Sequence, residues 1–120
     1  MRSDPRFVSV KNRLWLTAGH YTFLGKGRVA LLKAIEKHGS ISGAARSMNM
    51  SYLKAWKLVE SMNDMSEVPL VIRTSGGKGG GGSVLTDHGK KMIQLFEHLH
   101  QRCEKFLKTE LKEFMGRTMN

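Results

Sequence analysis

The sequence feature that most limits the fold is a run of glycines interrupted by one lysine, Gly-Gly-Lys-Gly-Gly-Gly-Gly at residues 76–82. Glycine has no side chain to bury, and it loses more backbone entropy on ordering than any other residue. The run therefore cannot build a hydrophobic core, and it is useful where the backbone must lie close to another molecule. Short apolar segments flank it at residues 70–72 and 83–85, which predicts a β-hairpin with a glycine-rich tip.

Two helices are predicted upstream of this hairpin. Apolar residues at helical spacing indicate a helix from residue 28 to 38 that stops at Gly39. A second, shorter helix follows at residues 40–48, where a serine can cap the first turn and small residues allow close packing. Asn49 ends it.

A third helix is predicted from residue 52 to about residue 62, with Ser51 as its cap. Its buried stripe is formed by Ala55, Val59 and Met62. The opposite side carries Tyr52, Lys54 and Lys57. Trp56 is expected to pack at the edge of the core, because an exposed tryptophan is costly on an otherwise polar face.

The amino-terminal end is predicted to form a second β-hairpin. Residues 7–16 mix β-branched and aromatic residues with partial alternation. Gly19 and His20 offer a turn, and residues 21–24 supply the second strand.

The carboxy-terminal end is predicted to be one long helix that begins at Thr86, with Asp87 placed where its charge suits the helix dipole. Its apolar stripe is formed by Met92, Phe96, Leu99, Cys103, Phe106, Leu107, Leu111 and Phe114. Because such a helix projects beyond a small domain, a second copy of the chain is expected to cover the stripe. The alternative is that the helix folds back on its own domain.

This order of elements predicts an α+β fold, mainly α: a winged helix-turn-helix with an amino-terminal β-hairpin and a long carboxy-terminal dimerisation helix. The expected division is an extension at 1–24, the winged helix-turn-helix at 25–86 and the dimerisation helix at 87–120.

Composition points to a polyanionic partner. Lys and Arg total 20 against 10 Asp and Glu, which gives a formal charge of +10. Between Pro5 and Val59 the only acid is Glu36, so positive potential should gather on the amino-terminal half. The start of the chain is not a signal peptide, and no stretch is apolar enough to span a membrane. The expected location is therefore the cytoplasm, in association with the nucleoid.

The sequence offers no candidate residues for catalysis, cofactor binding or metal binding. Gly77, Gly79 and Gly82 match the G-x-G-x-x-G spacing, but a strand follows them where a dinucleotide site requires a helix. Lys78 is not followed by Ser or Thr, which excludes a P-loop. The five histidines have no metal-ligand spacing with the single cysteine.

The candidate DNA-binding residues lie on the third helix, at the start of the second helix and on the wing. They are Ser40, Ser42, Ser51, Tyr52, Lys54, Lys57, Arg73, Thr74 and Lys78. In a helix-turn-helix the second helix of the unit enters the major groove, and its first residues reach base edges. Arg73 and Lys78 bracket the wing tip and can face the sugar-phosphate backbone. The competing interpretations are an ordinary solvated lysine face and a plain disordered loop.

Several of these segments also resemble a known family. They are Gly39-Ser40-Ile41-Ser42, Ala44-Ala45, Met50-Ser51-Tyr52, Lys54-Ala55-Trp56, Met62-Asn63, Leu70-Val71 and the run from Arg73 through the glycines to Leu85-Thr86. Together they resemble the amino-terminal domain of ModE-type molybdate-responsive transcription regulators and, more distantly, the winged helix-turn-helix of LysR-type regulators. The resemblance implies a homodimeric DNA-binding regulator. Full-length members carry a further molybdate-binding region, and because this sequence ends at Asn120, molybdate is not expected as a partner.

The predicted function is a dimeric transcription regulator that binds a pseudo-palindromic operator in double-stranded DNA. The two 51–62 helices would read major-groove faces about 34 Å apart. Two alternatives stay open: a winged-helix adaptor that docks on another protein, and a DNA-binding protein without sequence preference.

Overall fold

The structure is a computed structural model that describes residues 7–77 and 80–119. Its elements, in chain order, are β1 (Trp15–Ala18), β2 (Tyr21–Gly25), α1 (Lys26–His38), α2 (Ile41–Ser47), α3 (Tyr52–Asp64), β3 (Val71–Gly77), β4 (Gly80–Leu85) and α4 (Asp87–Met119). The predicted fold class is confirmed: a mainly helical protein with an amino-terminal β-hairpin, a helix-turn-helix followed by a hairpin wing, and a long last helix.

The amino-terminal hairpin pairs β1 with β2 in antiparallel fashion, with Ala18 opposite Tyr21. Gly19 supplies the positive φ of 61° that the tight turn needs. The first strand is shorter than predicted, since it begins at Trp15 and not near residue 7. The reason is that β2 ends at Gly25, where α1 begins, so earlier residues have no strand to pair with.

Helix α1 begins at Lys26, earlier than the predicted residue 28, and includes Gly27. Gly27 lies in the first turn, where backbone N–H groups need no partner within the helix, so it does not interrupt the helix. The predicted end is confirmed. Gly39 adopts a φ of 75°, and its N–H donates to the Ile35 carbonyl at 2.8 Å.

The caps of the next two helices are confirmed. The Ser40 Oγ accepts a hydrogen bond from the Gly43 N–H at 2.9 Å, and the Ser51 Oγ accepts one from the Lys54 N–H at 3.1 Å. Helix α3 continues to Asp64, somewhat beyond the predicted end. Its predicted stripe of Ala55, Val59 and Met62 is buried.

The core lies between the three helices and the base of the wing. Ala44 and Ala45 are buried, and their small side chains let α2 lie close to its neighbours. Trp56 packs partly buried against this core, as predicted. The largest fully buried side chains are Leu24, Leu31, Leu32, Ile35, Met62 and Leu70.

The wing is formed by β3 and β4, which pair with Val71 opposite Leu85 and Thr74 opposite Gly82. Both strands are longer than the predicted apolar segments. The Ser83 N–H donates to the Gly39 carbonyl at 2.9 Å, and a Cβ on Gly82 would lie 2.7 Å from that same oxygen. The base of the wing therefore packs directly on the turn between α1 and α2, and it does so only because residue 82 has no side chain.

Asn63 joins the end of α3 to the start of the wing. Its Oδ1 accepts from the Leu70 N–H at 2.8 Å, and its Nδ2 donates to the Val71 carbonyl at 3.0 Å. These bonds fix the loop that follows α3, so α3 and the wing share one rigid support.

Helix α4 is fixed at its start by Thr86. The Thr86 N–H donates to the Leu70 carbonyl at 2.9 Å, and its Oγ1 accepts from the Gly89 N–H at 2.9 Å. Ile93 and Phe96 are buried against the domain. The remainder of the helix extends outward, which gives the molecule extents of 66 × 33 × 23 Å.

Candidate nucleic-acid interface

The outward face of α3 collects the polar and charged side chains predicted for it. Ser51, Tyr52, Lys54 and Lys57 are all exposed, and Tyr52 is 48% exposed. This follows from helical geometry, because the buried stripe occupies the opposite side. The first turn of α3 therefore presents a hydroxyl, a phenol and an ammonium group side by side.

The cap serine keeps a donor for a ligand. The Ser51 hydroxyl accepts from the Lys54 N–H, and its own hydrogen goes to no other residue in the part of the chain that the structure describes. A hydroxyl can donate and accept at once. Ser51 can therefore cap the helix and, at the same time, donate to a phosphate oxygen or a base edge.

The serines of the second helix occupy different surroundings. Ser40 is half-buried and caps α2, while Ser42 is exposed in the first turn. Ser40 directly follows Gly39, the residue on which the wing base packs. The structure thus brings the start of α2 and the base of the wing together, although these positions lie far apart in sequence.

The wing carries two of its three predicted contact residues within the described chain. Arg73 and Thr74 are exposed on β3. The Thr74 Oγ1 accepts from the Gly82 N–H at 3.1 Å, so this side chain also holds the two strands together. Lys78 lies outside the described residues.

The cations of this face lack carboxylate partners. Ion pairs within the described residues include Lys33 with Glu97 at 2.7 Å and Lys108 with Glu104 at 3.7 Å. Lys54, Lys57 and Arg73 take part in neither. Their charge is therefore uncompensated within the described chain and is available to a polyanion.

Two residues of this surface were missed by the sequence analysis. Leu53 is 57% exposed beside Tyr52, and its position outside the buried stripe was the available signal. Arg28 belongs to α1, yet its Nη1 donates to the Ser61 Oγ of α3 at 3.0 Å. Partial burial lowers the pKa of Arg28 from its ordinary value through desolvation. No pattern along the chain relates Arg28 to Ser61.

A concavity of about 490 Å³ opens between α1 and α3 at this place. Its lining residues are Arg28, Ser51, Leu53, Lys54, Lys57, Leu58 and Ser61.

Within the described chain, no group of three or more His, Cys, Asp or Glu side chains is arranged to hold a metal ion. None of the described helices has both the length and the apolar character required to cross a membrane.

Comparison with known proteins gives a family match that covers the helix-turn-helix and wing. The sequence pattern of the family described as "Bacterial regulatory helix-turn-helix protein, lysR family" matches residues 27–90. The crystal structure of VV2_1132, a LysR family transcriptional regulator, superposes with a TM-score of 0.53 at 22% identity, over 68% of this chain and 26% of that one. This likeness concerns the fold.

Curated relatives are more similar in sequence. The molybdenum transport protein ModE of Azotobacter vinelandii is 39% identical over 98 residues, which are 79% of this chain and 36% of that protein. The DNA-binding transcriptional dual regulator ModE of Escherichia coli K12 is 47% identical over 83 residues, 69% of this chain and 32% of that protein. The molybdenum-pterin-binding protein MopB of Rhodobacter capsulatus is 45% identical over 84 residues, 70% of this chain and 31% of that protein. The chain thus spans about a third of the length of these relatives.

Proposed function

Because the chain belongs to the lysR family of bacterial regulatory helix-turn-helix proteins, and it is similar in sequence to the DNA-binding transcriptional dual regulator ModE, we propose that it is a DNA-binding transcription regulator. It binds a double-stranded operator through α3 and the wing. The observation that carries the proposal is the exposed face of α3, whose lysines have no carboxylate partner in the described chain. The place of action is the nucleoid in the cytoplasm.

The residues of α3 divide into two roles. Tyr52 and Leu53, at the start of the helix, face base edges in the major groove, where a phenol can exchange hydrogen bonds and an apolar side chain can contact a thymine methyl group. Lys54 and Lys57 contact phosphates, which gives affinity without sequence preference.

The wing and the start of α2 complete the interface. Arg73, Thr74 and Lys78 approach the sugar-phosphate backbone beside the groove that α3 occupies. Ser40 and Ser42 add hydroxyl donors next to the base of the wing. The glycines allow this backbone approach because no side chain intervenes.

The proposed functional unit is a homodimer paired through α4. Leu95, Leu99 and Phe106 are 40%, 37% and 62% exposed and follow one side of the helix, and Phe114 further along is 63% exposed. Apolar side chains at such positions favour burial against a second α4. A two-fold dimer presents two α3 helices to half-sites about 34 Å apart on a pseudo-palindromic operator.

The test is a fluorescence anisotropy titration with duplex fragments selected from a random pool. We expect tight binding with a steep salt dependence and a marked preference over scrambled duplex. Lack of duplex affinity at low salt would contradict the proposal, and equal affinity for all duplexes would leave a DNA-binding protein without sequence preference.

Point variants separate the two roles. Lys57→Ala and Lys78→Ala should weaken binding to every sequence alike and reduce the salt slope by about one unit each. Tyr52→Phe and Tyr52→Ala should change sequence preference instead. Lys105→Ala on α4 removes the same charge from another exposed position and serves as the control. If Lys105→Ala weakens DNA binding as much as Lys57→Ala and Lys78→Ala do, the DNA-binding surface has been assigned wrongly.

A further inference from the structure

The concavity between α1 and α3 contains an arginine with an unusual environment. Arg28 lies in the first turn of α1, and its guanidinium reaches the Ser61 hydroxyl of α3 at 3.0 Å. The side chain is half-buried. Burial without a compensating carboxylate lowers the pKa of Arg28 by desolvation.

The lining of the concavity is entirely basic or neutral. Besides Arg28 it contains Lys54 and Lys57, and none of its residues is acidic. Glu60 and Asp64 are the nearest acids along α3, and both are exposed and pair with none of these three cations. Three cations therefore line one opening, and none of them has a carboxylate partner within the described chain.

The neutral groups suit an oxyanion. Ser61 lies beside the guanidinium and has a hydroxyl hydrogen of its own, while the hydrogen bond from Arg28 occupies only part of the donor capacity of the guanidinium. Guanidinium geometry matches pairs of phosphate oxygens, and lysines at the rim add mobile positive charge. The chemistry of the opening is that of a phosphate-type oxyanion site.

We propose that this concavity holds one backbone phosphate of the operator, with Arg28 as the contact that fixes the depth at which α3 enters the groove. The inference rests on the proposed function. Ser51 caps α3 and Lys54 lies in its first turn, the part of the helix that reaches deepest into the groove, whereas Arg28 contacts Ser61 toward the other end of the helix. A phosphate at the groove edge is thus the oxyanion that DNA binding brings to this place.

The first experiment compares four variants by anisotropy titration on the selected operator. Arg28→Met should weaken binding about eightfold near 0.1 M salt and lower the salt slope by about 0.9, the effect of one lost phosphate contact. Arg28→Lys keeps the charge and should retain most of the slope. Ser61→Ala removes the hydrogen bond but keeps the cation, so its slope should be unchanged. Lys105→Met is the charge-matched control and should behave as the wild type.

The second experiment places the contact on the DNA. Operators with one neutral methylphosphonate at each backbone position in turn are titrated with the wild type and with Arg28→Met. At one backbone position in each half-site, the neutral methylphosphonate should lower the affinity of the wild type. It should not lower the affinity of Arg28→Met, because this variant already lacks the phosphate contact. Circular dichroism melts of both proteins establish that Arg28→Met is folded at the assay temperature.

The outcomes are distinct. If the wild-type protein fails to bind duplex DNA, the proposed function is wrong, and this inference is wrong as well. If it binds but Arg28→Met has the affinity and slope of Lys105→Met, only the phosphate contact is overturned. Calorimetry with inorganic phosphate tests whether the concavity binds a free oxyanion and not a phosphate of DNA. Arg28-dependent phosphate binding, combined with Arg28-independent DNA binding, would assign the concavity to a free oxyanion and overturn the proposal.

Discussion

The two halves of α4 both carry apolar residues at helical spacing but have very different surroundings. In the first half, Gly89 packs on the Leu70 carbonyl and Phe96 is only 6% exposed. In the second half, Phe106 and Phe114 are 62% and 63% exposed. Apolar residues at helical spacing continue through both halves, so the pattern alone does not distinguish them. The difference teaches that periodicity predicts which side of a helix is apolar, whereas the neighbouring elements decide whether that side stabilises the fold or is left for a partner.

The largest effect is expected from removing the phenyl rings. Phe96→Ala should lower the free energy of unfolding by about 3–5 kcal/mol, because it empties a buried site. Phe106→Ala should leave the stability of the monomer within about 0.5 kcal/mol of the wild type. If α4 pairs as proposed, Phe106→Ala should instead raise the dimer dissociation constant at least tenfold, since each phenyl group buried is worth about 1.5–3 kcal/mol.

Urea unfolding and sedimentation equilibrium measure these two quantities for the Phe96 and Phe106 variants. A loss of several kcal/mol for Phe106→Ala at concentrations where the protein is monomeric would show that the second half folds back on its own domain.

A smaller contrast is expected between two glycines of the same helix. A Cβ on Gly89 would lie 2.3 Å from the Leu70 carbonyl oxygen, a backbone atom that no side-chain rotation can move away. Gly89→Ala should therefore cost about 2–3 kcal/mol of unfolding free energy by overpacking. A Cβ on Gly116 meets nothing within 4 Å, so Gly116→Ala should stabilise the end of the helix by about 0.5–1 kcal/mol.

Thermal melts report the effect of Gly89→Ala, and hydrogen exchange of the last helical amides reports that of Gly116→Ala. Equal melting temperatures for Gly89→Ala and the wild type would mean that α4 shifts easily on the domain, which would contradict the close packing at its start.

The smallest effects are expected from two exposed ion pairs. Lys33 joins α1 to α4 through Glu97, with side chains 54% and 42% exposed, and Lys108 pairs with Glu104 within α4. Such exposed pairs contribute about 0–1 kcal/mol, and salt screens them. Lys33→Met and Lys108→Met should each change the unfolding free energy by less than about 1 kcal/mol, with the difference shrinking as salt is added. A larger, salt-insensitive loss for Lys33→Met would show that the pair matters for docking α4.

The local features of the fold could be predicted from the sequence because their causes lie within a few residues. Ser40 and Ser51 cap helices through N–H groups only three positions away. Gly39 ends α1 because it can adopt a positive φ. The sites themselves were predicted as a face of α3 and a wing, and the structure confirms that the α3 side chains are exposed. Their contacts with DNA stay predictions.

Where the prediction failed, a neighbouring element was responsible. The first strand was predicted to begin near residue 7, but β2 is too short to pair with that segment. Helix α1 was predicted to start at residue 28, although a first turn accepts Gly27 without loss of an internal hydrogen bond.

The sequence by itself determined the helical and strand periods, the helix caps, the strong positive charge and the glycine-rich wing, since each depends on adjacent residues or on composition. Only the tertiary structure decided that Arg28 meets Ser61, that Gly82 packs on Gly39 and that Asn63 holds the start of the wing. Each of these contacts joins different structural elements. They exist because burial of one shared core fixes where those elements lie, and no local pattern encodes that placement.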